Sequence, residues 1–203
     1  MKLLLTSQGT TNKKVMDELI KLSGKLPRNT KLLFITTAAK PIENPDYMYR
    51  ERERLEDTGF IVEEYDIEGK PADEVKKEID LNDVIFVIGG EPFYLLKAVR
   101  GSGFDQIIKN LGDEKLYVGA SAGTYISCPS VEMGLWKKPN RNTYGLTDFT
   151  GMGLVDFMVM AHYEEKYKEL FREKSKGSNY EVCALTDEQA ISISNGEMKF
   201  INF

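Results

Sequence analysis

Five consecutive apolar residues, Val84-Ile85-Phe86-Val87-Ile88, closed by Gly89-Gly90, constrain the fold of this chain more than any other stretch. A run that is apolar at every position has no face to offer water, so as a strand it must be covered on both sides. Such strands belong to mainly parallel sheets whose crossover helices pack on both faces. The remaining sequence follows the same plan, short apolar stretches alternating with amphipathic ones. Strands are predicted at Lys2–Thr6 and at residues 31–36, 60–66, 84–88 and 116–119. Helices are predicted over 12–22, from Pro45 through Leu55, and over 71–79, 94–99 and 104–111. In the first of these, Val15, Met16, Leu19, Ile20 and Leu22 recur at helical spacing and give one stripe to the sheet.

Residues 155–161 read as another strand, whose end delivers His162, and Tyr163, Tyr167, Leu170 and Phe171 mark one face of the helix after it. The C-terminus changes character: strands at 182–185 and 190–193 lead to Asn195-Gly196, a two-residue hairpin signal, before 198–201. With no internal repeat and no linker, residues 1–203 are expected to form one α/β domain with a C-terminal β-hairpin.

Composition narrows the function classes. A formal net charge of -5 and no long basic run argue against nucleic acid as a partner, because replacing condensed counterions needs clustered Lys and Arg. Two cysteines, Cys128 and Cys183, and a single histidine supply neither a disulfide framework nor a zinc ligand set, so no metal and no cofactor are expected. The apolar run at the N-terminus is too short for a signal peptide or a membrane span, which predicts a cytoplasmic protein with no membrane partner.

Chemistry enters at Gly119-Ala120-Ser121-Ala122-Gly123, which matches the nucleophile elbow: a Ser on a sharp strand-to-helix turn, flanked by small residues. Taken alone, the pentapeptide is equally a Gly- and Ala-rich turn. A serine hydroxyl needs a base to take its proton, and the one imidazole in the chain, His162, is the natural candidate. A carboxylate must then orient that imidazole, and Asp148, Asp156, Glu164, Glu165, Asp187 and Glu188 all follow Ser121. The backbone N–H groups of Ala122, directly after the nucleophile, and Gly90, at the end of an apolar strand, are the candidate oxyanion donors.

At these residues the sequence resembles the peptidase E (S51) family of serine peptidases, the aspartyl dipeptidase and cyanophycinase group. The resemblance rests on Gly89-Gly90 with Phe93 and Leu95-Leu96, on the elbow with Cys128-Pro129, on Gly153-Leu154-Val155 leading to His162-Tyr163, and on Leu185-Thr186-Asp187-Glu188. It implies a flavodoxin-like, class I glutamine amidotransferase-like fold. It also implies hydrolysis of small peptides through an acyl-enzyme, with Ser121 as nucleophile, His162 as base, Glu188 as acid, and Gly90 and Ala122 as oxyanion donors. A homodimer is the candidate assembly. An esterase or amidase on the same site, or a binding protein without turnover, are the alternatives.

The chain departs from the family pattern in three places. Glu91-Pro92 replaces the usual Asn-Thr, and neither the Asn-Asp-Met-Pro nor the Gly-Glu-Thr-Arg stretch of the aspartyl dipeptidases is present. A preference for N-terminal aspartate is therefore not implied. Trp136, Lys137, Lys138, Arg141 and Tyr144 are candidate lining residues of an altered pocket, set against the plainer reading of a solvated loop.

Overall fold

The computed structural model of the chain describes residues 1–138 and 142–202. Its centre is a seven-stranded sheet built from β1 (Lys2–Thr6), β2 (Lys31–Ile35), β3 (Ile61–Tyr65), β4 (Val84–Val87), β5 (Leu116–Ala120), β8 (Ala190–Ser194) and β9 (Glu197–Ile201), in the order β3-β2-β4-β5-β1-β8-β9. The first five in that order are parallel; β8 runs antiparallel to β1, and β9 antiparallel to β8. Asn195 and Gly196, at φ 53° and 75°, make the expected tight turn between the last two.

Alternation along each central strand divides the core into two layers. Leu3, Leu5, Leu33, Ile35, Ile85, Val87 and Tyr117 face one side, where α3 (Ala72–Leu81), α4 (Pro92–Ser102), α5 (Phe104–Lys109) and α6 (Ala122–Ser127) cover them. Leu4, Leu32, Phe34, Val84, Phe86, Leu116 and Val118 face the other, under α1 (Lys13–Ser23) and α2 (Asp46–Thr58). Each fully buried side chain of this kind contributes roughly 1.5–3 kcal/mol, which makes the sheet a rigid platform for whatever its ends carry. The mainly parallel, doubly covered sheet is the architecture expected from the run at 84–88.

Two local expectations need correction. Residues 155–161 do not form a strand of the central sheet: only β6 (Met158–Met160) is extended, and it pairs in parallel with β7 (Val182–Ala184) in a separate two-stranded sheet. Met158, Val159 and Met160 are fully buried, but α6 and the short α7 (Met133–Trp136) supply part of the cover. An apolar run records that it is covered, not by what. The fourth helix also starts earlier than expected, at Pro92, because the Glu91 side chain accepts the Phe93 N–H at 3.2 Å and caps it. Among the described residues, no helix is long and apolar enough to cross a membrane.

Candidate active site

Neighbouring parallel strands β4, β5 and β1 end at the same edge of the sheet, so the residues directly after them are brought together by topology alone. Those residues are Ile88 with Gly89-Gly90, Ser121 and Ser7. They line one cleft of about 610 Å³, together with Gln8, Thr11 and Tyr47 among others.

Ser121 adopts φ 47° and ψ -102°, a conformation non-glycine residues avoid and one of a kind that costs about 1–3 kcal/mol. Its surroundings enforce it. The Ser121 N–H donates to the Thr6 carbonyl at 3.1 Å, and the buried Tyr117 hydroxyl donates to the Gly123 carbonyl at 2.6 Å. A Cβ at Gly119 would lie 2.7 Å from the backbone of Gly123, and one at Gly123 would lie 2.1 Å from the Val87 carbonyl oxygen. The glycines of the pentapeptide thus let helix α6 fold back against the strands that carry Ser121.

The Ser121 Oγ stands 2.9 Å from His162 Nε2, and His162 Nδ1 stands 2.6 Å from Asp187 Oδ1. An ionised carboxylate can only accept, so Nδ1 carries the proton and Nε2 is left to accept from the Ser121 hydroxyl. Ser7 completes the cluster: its hydroxyl donates to Asp187 Oδ1 at 2.8 Å and accepts the His162 N–H at 2.7 Å. His162, like Ser121, has positive φ, at 54°.

Glu188, the acid expected from the family resemblance, is not the carboxylate that meets the imidazole. Its side chain is exposed and accepts from Asn12 Nδ2 at 3.1 Å. The cause lies in the pairing of β6 with β7. Met160 sits opposite Ala184, and the ladder continues with Leu185 N–H donating to the Met160 carbonyl and Tyr163 N–H to the Leu185 carbonyl. That register sets the segment after Leu185 beside His162, and the tight turn closed by Gln189 N–H on the Thr186 carbonyl presents Asp187 to the ring. Its sequence neighbour points away.

Of the expected oxyanion donors, Gly90 lines the cleft with Ser121 and Ala122 follows Ser121 directly. Gly90 follows β4 at φ 145°, and a Cβ there would lie 2.0 Å from the Ala38 carbonyl oxygen, so only glycine fits. Ala122 is the first residue of α6, where backbone N–H groups have no partner within the helix. The Glu91-Pro92 departure from the family pattern is spent on capping α4, and neither residue lines the cleft.

The anticipated second pocket separates into parts. Lys138 lines the cleft with Ser121, whereas Trp136 borders another hollow with Phe149 and Lys174, and Tyr144 packs edge-on against Tyr94 at 5.4 Å. Lys137 turns inward to the carbonyls of Ala161 and His162. Arg141 lies outside the described residues.

Sequence reasoning missed Ser7 and Glu51. Ser7 had a signal, a Ser-Gln-Gly turn directly after the first strand; Glu51 had none, since it sits in a charged helix. It is 2% exposed, and its Oε1 accepts from the Thr10 N–H at 2.7 Å and the Thr10 hydroxyl at 2.6 Å, while Oε2 pairs with Arg54. Burial pushes its carboxyl above the usual range against the pull of these donors. Cys128 is no rival nucleophile: it is fully buried, which drives its thiol up to about 12. Among the described residues, no three His, Cys, Asp or Glu side chains gather as a metal site.

Comparison with known proteins bears on the family and the fold. The family model for peptidase family S51 matches residues 3–201. An uncharacterized peptidase of Listeria monocytogenes, Lmo0363, is 30% identical over 169 residues, covering 81% of this chain and 82% of that one. Peptidase E of Streptomyces coelicolor is 31% identical over 170 residues, covering 80% of this chain and 64% of that one. Among solved structures, a candidate peptidase E protein from Listeria monocytogenes EGD-e superposes with a TM-score of 0.84 at 28% identity, covering 100% of this chain and 98% of that one. A peptidase from an acI-B1 Actinobacterium, at 15% identity and a TM-score of 0.74, shares the fold. The fold is thus the flavodoxin-like, class I glutamine amidotransferase-like one.

Proposed function

The chain belongs to peptidase family S51 and is a serine-type peptidase of the peptidase E type, and from that premise we propose that it hydrolyses small peptides through an acyl-enzyme formed on Ser121. The observation that carries this reading is the continuous hydrogen-bonded line from Ser121 Oγ through His162 to Asp187, at 2.9 and 2.6 Å.

Ser121 Oγ attacks the scissile carbonyl carbon as its proton passes to His162 Nε2, and the carbonyl π electrons move onto oxygen. Asp187 holds the ring in the correct tautomer and stabilises the imidazolium, and Ser7 steadies Asp187 from its other side. The Gly90 and Ala122 N–H groups receive the oxyanion, where pre-set donors act in a partly water-excluded site at no reorganisation cost. Collapse breaks the C–N bond, and the leaving amine takes the proton from His162. Water, deprotonated by His162, then releases the acid by the same route. Asp187 stands here where the family resemblance put Glu188.

A cleft of about 610 Å³ suits a ligand of a few residues rather than a folded protein. Arg50 and Lys138 on its wall favour substrates that end in a free carboxylate, while Arg54 beside them is paired with Glu51. In a panel of di- and tripeptides, their C-terminal amides, ten-residue peptides and simple acyl esters, the expected order of kcat/KM puts the short free-acid peptides first. Turnover of the esters alone, or preferential cleavage of the ten-residue peptides, would overturn the small-peptide assignment.

A further inference from the structure

We propose that Lys137 is a positioning residue for His162: its ammonium group, drawn beneath two consecutive carbonyls, holds the base in the left-handed backbone conformation that aims Nε2 at Ser121. The proposal rests on the serine-peptidase reading of the site given above.

The geometry is specific. Lys137 Nζ donates to the Ala161 carbonyl at 2.8 Å and also to the His162 carbonyl. Successive carbonyls of an extended chain point to opposite sides, so one ammonium can reach both only where the chain turns between them. It turns at His162, φ 54°, two residues past Met160, the last paired residue of β6. Charge-assisted hydrogen bonds of this kind are about twice as strong as neutral ones. Two other ties to the backbone of this corner, His162 N–H to Ser7 and Tyr163 N–H to the Leu185 carbonyl, fix its amide side, and Lys137 alone fixes its carbonyl side among the hydrogen bonds described.

Lys137 is held in turn by its own surroundings. It is half-buried, and its ammonium stands 4.5 Å from the centre of the Tyr167 ring. Burial brings the ammonium down to about 8, outweighing Asp187 and Glu164, which favour its charge, and Lys166, which shares the Tyr167 ring, lowers it further. His162, whose carbonyl it meets, and Tyr167, whose ring it overlies, are further titratable groups beside it. The charged form, and with it the full strength of the clamp, is present below about pH 8 and is lost as pH rises through that value.

Lys137→Met and Lys137→Arg, assayed on the wild-type enzyme's best short peptide from pH 6 to 10, test this. The methionine variant is expected to lose about 10–100-fold in kcat with KM within about twofold, the size of effect that follows when a reacting group is misplaced by about 1 Å. The arginine variant, charged throughout the range, is expected to recover most of kcat and to lose the alkaline decline that the wild type shows near pH 8. Wild-type kcat in Lys137→Met would overturn the proposal. If that variant does not fold, coincident pH profiles for the wild type and Lys137→Arg would overturn it. Absence of any wild-type turnover would instead count against the serine-peptidase reading itself.

Discussion

Asp187→Asn lowers kcat by about 10⁴-fold, while Glu188→Gln leaves it within about threefold of wild type. Asparagine keeps the shape of the side chain but can present an N–H to His162 Nδ1, which favours the tautomer with the proton on Nε2 and leaves nothing to accept from Ser121; losses of this order accompany that change in Ser-His-Asp sites. Glu188 meets Asn12 rather than the ring, so its amide variant disturbs only the outer side of the loop. Steady-state kinetics of both variants on one short peptide decide the matter. A large loss in Glu188→Gln with a silent Asp187→Asn would return the acid to the position the family resemblance indicated.

Ser121→Ala is expected to remove at least about 10⁴-fold from kcat/KM, since no other nucleophile can take over: Cys128 is buried and Ser7 is committed to Asp187 and the His162 backbone. Peptide binding should survive, because the cleft walls are untouched. Equilibrium binding of a short peptide to the variant, beside its residual rate, separates lost chemistry from lost folding. Residual activity within tenfold of wild type would remove Ser121 from the reaction.

The sequence carried the sheet and its covered strands, because a fully apolar run such as Val84 to Ile88 has few ways to be buried. It carried the meeting of Ser121 with His162 for a chemical reason: a hydroxyl proposed as nucleophile needs a base, and the chain has one imidazole. What it could not carry was the β6–β7 register. Asp187 and Glu188 are adjacent and chemically alike, and which of them meets the ring depends on a pairing between segments more than 20 residues apart. The inward turn of Lys137, named from the sequence only as a candidate pocket-lining residue, was illegible for a related reason. A lysine beside a second lysine reads as a solvated loop, and only the folded position of Ala161 and His162 shows that it turns inward.

Everything in the proposed reaction depends on Ser121 Oγ, activated by His162 and Asp187, forming the covalent intermediate. Reaction with a fluorophosphonate, followed by intact mass and peptide mapping, tests it most directly. One adduct per chain is expected, on Ser121, formed at a rate that falls by orders of magnitude in Asp187→Asn and stays near wild type in Glu188→Gln. An adduct on any other residue, or no adduct on an enzyme that still cleaves peptides, would contradict it.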